Sequence, residues 1–242
     1  MYFILINSTN NNSFLEQEKL LSYKGRKSGR PLSKAKNEVL NKILKTNSVT
    51  ADKINSNFFF NRSYYPLSLE IGSGSGEFIV SEAIKNPNKG FFAVEQYING
   101  IASLSSKINQ KNINNIKFFP GDVTKILYLL PQNIFDCIYL LFPDPWPKIK
   151  HHKRRIIQKE IIDIFSKLLI NNGILWFVSD DKDYCRHTLL HFQKHPSFKW
   201  TAQRREDWLL KPKTWVDTRY EIKAKKRGIS PIFLKFIKSK PL

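Results

Sequence analysis

Cysteine is scarce in this sequence of 242 residues, where only Cys137 and Cys185 occur, without a CxxC pair. Two isolated cysteines provide neither a disulfide framework nor a zinc site, so we expect neither, and we predict a reducing, cytoplasmic setting. The adjacent histidines His151 and His152 have no further ligand at metal-binding spacing, so no metal is expected.

Long hydrophobic runs are also absent. No apolar stretch approaches the roughly 20 residues of a membrane-spanning helix. The first residues, MYFILINSTNNN, lack the basic start and the cleavage site of a secretory signal. We therefore expect no membrane partner. The length suits one α/β domain with appendages, which is large enough to bury a core.

Acidic residues are few compared with basic ones. The chain has 20 Asp and Glu against 40 Lys and Arg, a formal net charge of +20, which favours a polyanionic partner. Compositional drift explains part of this excess, because most of the cations are lysines in a sequence also rich in Asn and Ile. The arginines are the better indicator because most of them are clustered, as Arg26 and Arg30, Arg154 and Arg155, Arg204 and Arg205, and Arg219 and Arg227.

The first 55 residues differ in texture from the rest of the chain. They are polar and rich in Asn and Lys, with one predicted helix over Ser33–Leu44 that Ser33 would cap. We interpret residues 1–55 as a basic, partly flexible arm and residues 56–242 as the folded domain. The stretch Ser22–Leu32 is predicted to be mobile, either as a contact for RNA or as a solvated tail without a role.

Short apolar runs alternate with amphipathic stretches from Pro66 onward. This alternation predicts an α/β fold, a mostly parallel sheet with helices on both faces. The predicted strands lie near 67–71, 90–95, 116–120, 135–142, 174–180 and 230–237, and the predicted helices near 77–85, 97–110, 156–170 and 183–194. Asn172-Gly173 is predicted to be the C-cap of the helix near 156–170.

A glycine-rich loop, EIGSGSGEF, joins the first strand to the first helix of this domain. Gly72 and Gly74 permit positive φ and let a ligand approach the backbone. Dinucleotide enzymes use a similar turn, but with G-x-G-x-x-G spacing. The G-x-G-x-G spacing here, preceded by the acid Glu70, favours a ligand with a cationic amino-acid end, as in S-adenosylmethionine.

Acidic residues also follow the second and third strands. Glu95 ends GFFAVE, where its carboxylate can accept from both ribose hydroxyls, and Asp122 follows FFPG, where it can accept from an adenine amino group. Either acid alone is equally well explained as a cap or turn residue. Three acids and a glycine loop at three successive strand ends favour a nucleoside site.

The stretch LFPDPWPKIKHHKRR, Leu141–Arg155, combines an acid with dense positive charge. Prolines on both sides of Asp144 stiffen the backbone where the strand ends. The residues that follow are cationic or titratable and are predicted to bind phosphate. We call them the basic cluster, and they are Lys148, Lys150, His151, His152, Lys153, Arg154 and Arg155. A fixed acid beside such a cluster indicates chemistry on a nucleic acid.

These motifs together resemble one family. EIGSGSGEF, the acids of AVEQ and PGD, LFPDPWPKIKHHKRR, SDDKDY and TRYE are similar to the motifs of bacterial tRNA (guanine-N7-)-methyltransferases. The resemblance runs from about Leu67 to Lys226, and it is weaker in the basic stretch GRKSGRPLS. FPDPWPK followed by HHKRR is its most specific part.

The resemblance implies a class I S-adenosylmethionine-dependent methyltransferase fold, Rossmann-like, with a mostly parallel seven-stranded sheet. It also implies tRNA as the partner and a guanine in the variable loop as the target. By position, Asp144 is the implied catalytic residue, and Glu70, Glu95, Asp122 and Asp144 line the implied donor pocket. The implied substrate-binding residues are Lys148, Asp180, Thr218, Arg219, Tyr220 and Glu221. Asp181 stands where the family often has an aromatic residue.

The chemistry at guanine N7 limits what Asp144 is required to do. N7 carries a lone pair and no proton, so its methylation needs placement and tolerance of growing positive charge rather than a general base. We therefore expect Asp144 to position the base and stabilise charge. Asp180 and Glu221 are candidates to accept from the N–H groups of the Watson–Crick edge, although capping by Asp180 and a lysine pair for Glu221 are alternatives.

Three other functions remain open on the sequence alone. A class I RNA methyltransferase acting on an exocyclic amine has a superficially similar D-P-P-W motif. A nicotinamide-dependent oxidoreductase shares the fold, but the glycine spacing disfavours it. A non-enzymatic basic RNA-binding protein accounts for the net charge and leaves the strand-end acids unexplained.

Overall fold

Seven strands form one sheet in the computed structural model, which describes residues 25–54 and 66–239. The strands are β1 Leu67–Ile71, β2 Gly90–Glu95, β3 Ile116–Pro120, β4 Phe135–Leu141, β5 Leu169–Ser179, β6 Phe198–Trp200 and β7 Ile232–Lys238. They lie in the order β3-β2-β1-β4-β5-β7-β6. Pairing is parallel from β3 through β5, and β7 is antiparallel to both β5 and β6.

Helices cover both faces of this sheet. The described helices are α1 Lys34–Asn47, α2 Ala51–Ile54, α3 Glu77–Lys85, α4 Ile98–Lys111, α5 Lys159–Leu168, α6 Lys182–Gln193, α7 Glu206–Leu209 and α8 Arg219–Lys226, with 3₁₀ turns at Val123–Lys125 and Ile149–Arg154. Alternate residues of β2 show the two sides, because Phe91 and Ala93 pack with α1, α3 and α4, whereas Phe92 and Val94 pack with α5 and α6. The predicted architecture is therefore confirmed.

The strand order reverses between β1 and β4. The chain adds β2 and β3 on one side of β1 and then returns to place β4 and β5 on the other side. Open α/β sheets bind ligands at the carboxyl ends of the strands beside such a reversal. This point of the sheet is consequently where a ligand site is expected.

The end of α5 differs from its predicted form. Asn172-Gly173 was predicted as its C-cap, but α5 ends at Leu168 and Asn172 lies inside β5 with φ 62°. The last helix carbonyls are already satisfied, because the Asn133 and Ile134 amides donate to Lys167 and Leu168 at 2.8 and 3.0 Å. A glycine cap is therefore not needed. Strand β6 was not predicted, since three residues are too few to show an alternating pattern.

Residues 34–54 pack onto the sheet as part of the same folded unit. Ser33 caps α1 as predicted, accepting from the Lys36 amide. Leu40 and Ile43 are buried among residues of α4 and β3, and the Val49 amide donates to the Phe118 carbonyl at 2.9 Å. The predicted boundary between residues 55 and 56 falls within residues 55–65, which lie outside the described residues.

The basic stretch before α1 lies along the start of α4. The Ile98 amide donates to the Lys27 carbonyl at 3.0 Å, and the Asn99 side chain donates to the Arg30 carbonyl at 2.7 Å. The part of the predicted mobile arm that is described, from residue 25, thus contacts the domain. Its first residues, 22–24, lie outside the described residues.

Candidate functional site

A cavity of about 310 Å³ opens at the carboxyl ends of β1, β2 and β4, where the strand order reverses. Its walls combine apolar strand ends, the glycine loop, the loop after β4 and one side of α8. The residues with functional side chains or glycine backbone that line it include Arg26, Gly72, Gly74, Glu95, Gln96, Asp144, Arg219, Tyr220 and Lys223. The apolar lining includes Ile71, Val94, Val123, Leu140, Leu141 and Ile156.

The glycine loop takes the left-handed backbone that its sequence predicts. Gly72 and Gly74 have φ of 75° and 54°, and a Cβ added at Gly72 would meet nothing within 4 Å. The loop is held from behind by α4, because a Cβ at Gly100 would lie 2.6 Å from the Gly74 carbonyl oxygen. This close approach leaves the open side of the loop facing the cavity.

Glu95 lies at the centre of the cavity wall. Its Oε2 accepts from the Gly74 amide at 2.6 Å and its Oε1 accepts from the Tyr97 amide at 2.7 Å. Burial raises the pKa of Glu95, although these backbone hydrogen bonds oppose the shift. Each oxygen retains a second lone pair, so the carboxylate can still accept from a ligand.

The other two predicted donor acids do not project into the cavity. Glu70 is 3% exposed and lies on the α3 side of β1. Its pKa is raised well above the ordinary range, mainly by burial and in addition by the negative charges of Glu77 and Glu95. Asp122 caps the following turn, accepting from the Thr124 amide and hydroxyl at 3.0 and 2.9 Å. The lining next to Asp122 comes from Gly121 and Val123.

The loop after β4 holds Asp144 at the mouth of the cavity in an unusual backbone. Phe142 and Trp146 have φ of 53° and 45°, values that are outliers for bulky side chains and that persist only where the surroundings hold them. The Phe142 amide donates to the Val178 carbonyl at 2.7 Å, which anchors the start of the loop to β5. Asp144 itself is exposed and lines the cavity.

The opposite wall is formed by α8. Tyr220 lies nearly parallel to Phe142, with ring centroids 6.1 Å apart and an interplanar angle of 18°. Arg219 pairs with Glu77 at 2.8 Å, which ties α8 to the first turn of α3 beyond the glycine loop. Thr218 caps α8 by accepting from the Glu221 amide at 3.2 Å. These contacts hold the predicted TRYE segment against the cavity.

Two predicted carboxylates for the base have ionic partners within the protein. Glu221 is 3% exposed and pairs with Lys211 and Lys225, each at 3.1 Å, which matches the lysine-pair alternative. Asp180 is half-buried and pairs with Arg227. The capping alternative for Asp180 is wrong, because Asp181 caps α6 by accepting from the Tyr184 amide at 2.7 Å.

Exposure varies within the basic cluster, where the lysines are exposed, His151, His152 and Arg154 are half-buried and Arg155 is buried. Lys148, Lys150 and Lys153 are exposed. Arg154 lies 4.8 Å from the Trp146 ring centroid, and His151 meets the same ring edge-on at 5.9 Å. Loss of hydration, followed by repulsion from Arg154 and the nearby lysines, lowers the pKa of His151. His152 is half-buried.

Arg155 departs from the predicted phosphate contact. Its side chain is only 1% exposed and pairs with Asp183, so it does not belong to the surface that the other members of the basic cluster present. Two neighbouring arginines therefore differ in environment, because Arg154 is half-buried over Trp146 and Arg155 is fully buried.

Some cavity residues were not predicted from the sequence. Gln96 follows Glu95, and its amide nitrogen and oxygen are buried without a hydrogen-bond partner in residues 25–54 and 66–239. Its position directly after the end of β2 is the feature from which the sequence could have predicted a place in the cavity wall. Arg26, which lies 5.3 Å from the Tyr97 ring centroid, was noted only as one of a clustered arginine pair in the basic arm, because nothing in the sequence places that arm at the cavity.

Within the described ranges, no group of three metal-ligating side chains is close enough to hold an ion. None of the helices in these ranges is long and apolar enough to cross a membrane.

Comparisons with known proteins agree with this geometry. The model of a family described as putative methyltransferases matches residues 65–233. The chain is 38% identical over 218 residues to the tRNA (guanine-N(7)-)-methyltransferase of Rhodospirillum rubrum, covering 88% of this chain and 86% of that protein. It is 39% identical over 215 residues to the protein of the same name from Rhizobium meliloti, covering 88% and 93%.

Solved structures share the fold at low identity. The precorrin-6y C5,15-methyltransferase of Geobacter metallireducens superposes with a TM-score of 0.50 at 13% identity, covering 88% of this chain and 93% of that one. A 16S rRNA (adenine(1408)-N(1))-methyltransferase from Catenulisporales acidiphilia superposes with a TM-score of 0.50 at 11% identity, covering 80% of this chain and 93% of that one. These two likenesses concern the architecture alone.

Proposed function

Because the chain belongs to the tRNA (guanine-N(7)-)-methyltransferase family, we propose that its cavity binds S-adenosylmethionine and presents the methyl group to N7 of a guanine in the tRNA variable loop. One observation carries this proposal. Asp144 is held by a rigid proline loop at the mouth of a cavity lined by the glycine loop and Glu95, directly before the basic cluster with its exposed lysines. A donor site and a nucleic-acid surface therefore meet at one carboxylate.

The cavity residues fit S-adenosylmethionine, which supplies a methyl group on a sulfonium when it is bound. Glu95 is the residue proposed to accept from the ribose hydroxyls. The unpartnered amide of Gln96 offers a donor and an acceptor to a polar ligand. The open backbone of Gly72 and Gly74 allows close approach. Val94, Val123 and Leu140 provide apolar walls for a flat heterocycle.

The raised pKa of Glu95 predicts that donor affinity depends on pH. A carboxylate accepts from hydroxyls better than a carboxylic acid does, so affinity is present above the pKa of Glu95 and lost as pH falls through it. We expect the loss to begin above the ordinary glutamate pKa of about 4.3, approaching about tenfold weaker binding per pH unit below the pKa. Donor binding measured between pH 7.5 and 5 tests this expectation.

Glu95→Gln is the matched variant for that measurement. It should bind the donor about tenfold more weakly at pH 7.5 and show a flatter pH profile. Glu160→Gln removes an exposed carboxylate on α5 and should behave as the wild type. A pH profile that stays unchanged in Glu95→Gln would show that another group titrates.

On the target side, Asp144 acts through position and charge. Guanine N7 attacks with its own lone pair, so no proton has to leave it, and positive charge grows on the purine as the bond forms. A carboxylate fixed at the cavity mouth favours that charge and orients the ring. Tyr220, exposed and nearly parallel to Phe142, offers an aromatic face close to the same position.

Asp180 is the better of the two proposed readers of the guanine edge. N7 has to remain free, so the base is read through its N–H donors, which a carboxylate can accept. Glu221 is buried and engaged by two lysines, whereas Asp180 retains partial exposure beside Arg227. We propose that Glu221 supports α8 from within, while Arg219 and Tyr220 contact the substrate.

Arg154 is proposed to bind tRNA phosphate with Lys148, Lys150 and Lys153. We expect Arg154→Ala to weaken tRNA binding and to reduce the slope of log affinity against log salt by about one, because one phosphate contact is lost. Filter binding of unmodified tRNA over a salt series measures both effects. Lys199→Ala, which removes an exposed cation from β6, is the control and should leave the slope unchanged. Equal slopes for Arg154→Ala and the wild type would mean that Arg154 is a solvated surface residue.

The proposed reaction is tested with unmodified tRNA and methyl-labelled S-adenosylmethionine. The label is expected in tRNA, and cleavage chemistry specific for N7-methylguanosine is expected to cut in the variable loop. Label on an exocyclic amine would favour the alternative RNA methyltransferase. Label on no nucleotide would contradict the proposed function.

A further inference from the structure

Arg155 is one of the largest fully buried side chains among the described residues. It ends the basic cluster, whose lysines are exposed, and the guanidinium of its half-buried neighbour Arg154 lies over the ring of Trp146. Burying a guanidinium is costly unless its charge and its N–H groups are all engaged. The position therefore requires an explanation that phosphate binding does not provide.

The guanidinium is engaged on three sides. Its Nε donates to the Pro145 carbonyl at 2.8 Å, and its Nη2 donates to Asp183 Oδ2 at 2.6 Å. Its Cζ lies over the ring of Tyr184, 4.8 Å from the ring centroid. The planar fork of arginine makes these contacts simultaneously, whereas the single ammonium of lysine does not reproduce them.

These contacts join two parts of the site. Pro145 directly follows Asp144 in a loop whose flanking residues, Phe142 and Trp146, have positive φ. Asp183 and Tyr184 lie in the first turn of α6, just after Asp180. Since a bulky residue keeps positive φ only where its surroundings hold it, the loop depends on such an anchor.

We propose that Arg155 is a positioning residue that holds Asp144 at a set place relative to Asp180 by tying the Pro145 carbonyl to the start of α6. This inference rests on the proposed function, which assigns Asp144 and Asp180 to the two sides of the target guanine. Arg155 itself contacts neither donor nor tRNA. The pair Arg154 and Arg155 thus divides into an outward residue for phosphate and an inward residue for the carboxylate.

Arg155→Lys tests the proposal in the full-length protein. With donor and tRNA saturating, we expect the single-turnover rate of methyl transfer to fall about 100-fold, as a displacement near 1 Å can cause. Affinity for tRNA and its salt slope should remain those of the wild type, because no phosphate contact is lost. Arg186→Lys, an exposed arginine on the same helix as Asp183, is the matched control and should change neither quantity.

Asp183→Asn keeps the test decisive where Arg155→Lys fails to fold. Asparagine retains an oxygen acceptor for Arg155 but removes the negative charge of Asp183, so we expect methyl transfer to be about tenfold slower. The double variant should be no slower than Arg155→Lys alone, since both changes break one linkage. Thermal melting of each protein separates this loss from unfolding.

Three outcomes would overturn the inference. The first is a wild-type transfer rate in folded Arg155→Lys or, where that variant does not fold, in Asp183→Asn. The second is a loss confined to tRNA affinity with a smaller salt slope, which would make Arg155 a phosphate ligand. The third is additive effects of the two substitutions in the double variant. Wild-type protein is assayed first, and its failure to methylate guanine N7 would instead contradict the proposed function.

Discussion

Asp144→Asn is expected to slow methyl transfer by roughly 100- to 1,000-fold, the loss typical of removing one preorganised electrostatic contact. Asparagine keeps the shape and an acceptor oxygen but loses the negative charge that favours the cationic N7-methylated ring. Asp144 is exposed in the protein alone, and the bound donor and base would exclude water from it. Single-turnover transfer to unmodified tRNA measures the effect directly.

Binding measurements distinguish this role from substrate binding. Asp144→Asn should bind tRNA within about twofold of the wild type, because an exposed charge change at one rim position adds little affinity. Glu160→Gln makes the same type of change on the exposed side of α5 and should keep the full rate. A variant whose rate recovers at high tRNA concentration would identify Asp144 as a binding residue.

Gly100→Ala is expected to weaken donor binding by about 100-fold, although residue 100 does not line the cavity. The new Cβ would lie 2.6 Å from the Gly74 carbonyl oxygen and 3.0 Å from its carbonyl carbon. Neither backbone atom can yield without moving the glycine loop, and Glu95 accepts from the Gly74 amide. The displacement therefore reaches two proposed donor contacts at once.

Helix propensity by itself predicts the opposite sign, a more stable α4 in the variant. Alanine inside a helix is favoured over glycine by about 1 kcal/mol, so α4 alone would be more stable in the variant. Gln110→Ala, at an exposed position of α4, is the control for a propensity change without a clash. Donor affinity equal to that of the wild type in Gly100→Ala would mean that the loop accommodates the methyl group and that its backbone position is not critical.

The sequence was sufficient for six of the seven strands, most helices and the centre of the cavity. Parallel strands between helices carry apolar runs that are easy to recognise, and their carboxyl ends converge on one edge. Gly72, Gly74 and Glu95 were predicted from their positions at strand ends, and the family resemblance added Asp144. All four line the cavity. Local pattern and chain direction were enough for the first three.

Tertiary packing decided the direction in which neighbouring side chains point. Glu70 precedes the glycine loop, but the strand alternation turns its carboxyl toward α3 and away from the cavity. Arg154 and Arg155 are indistinguishable in the sequence pattern. After the turn at Ile149–Arg154, however, Arg154 lies over Trp146, whereas Arg155 is buried and pairs with Asp183. Arg26 reaches the cavity from a distant part of the chain. Their environments depend on contacts between segments far apart in sequence, which composition and periodicity do not encode.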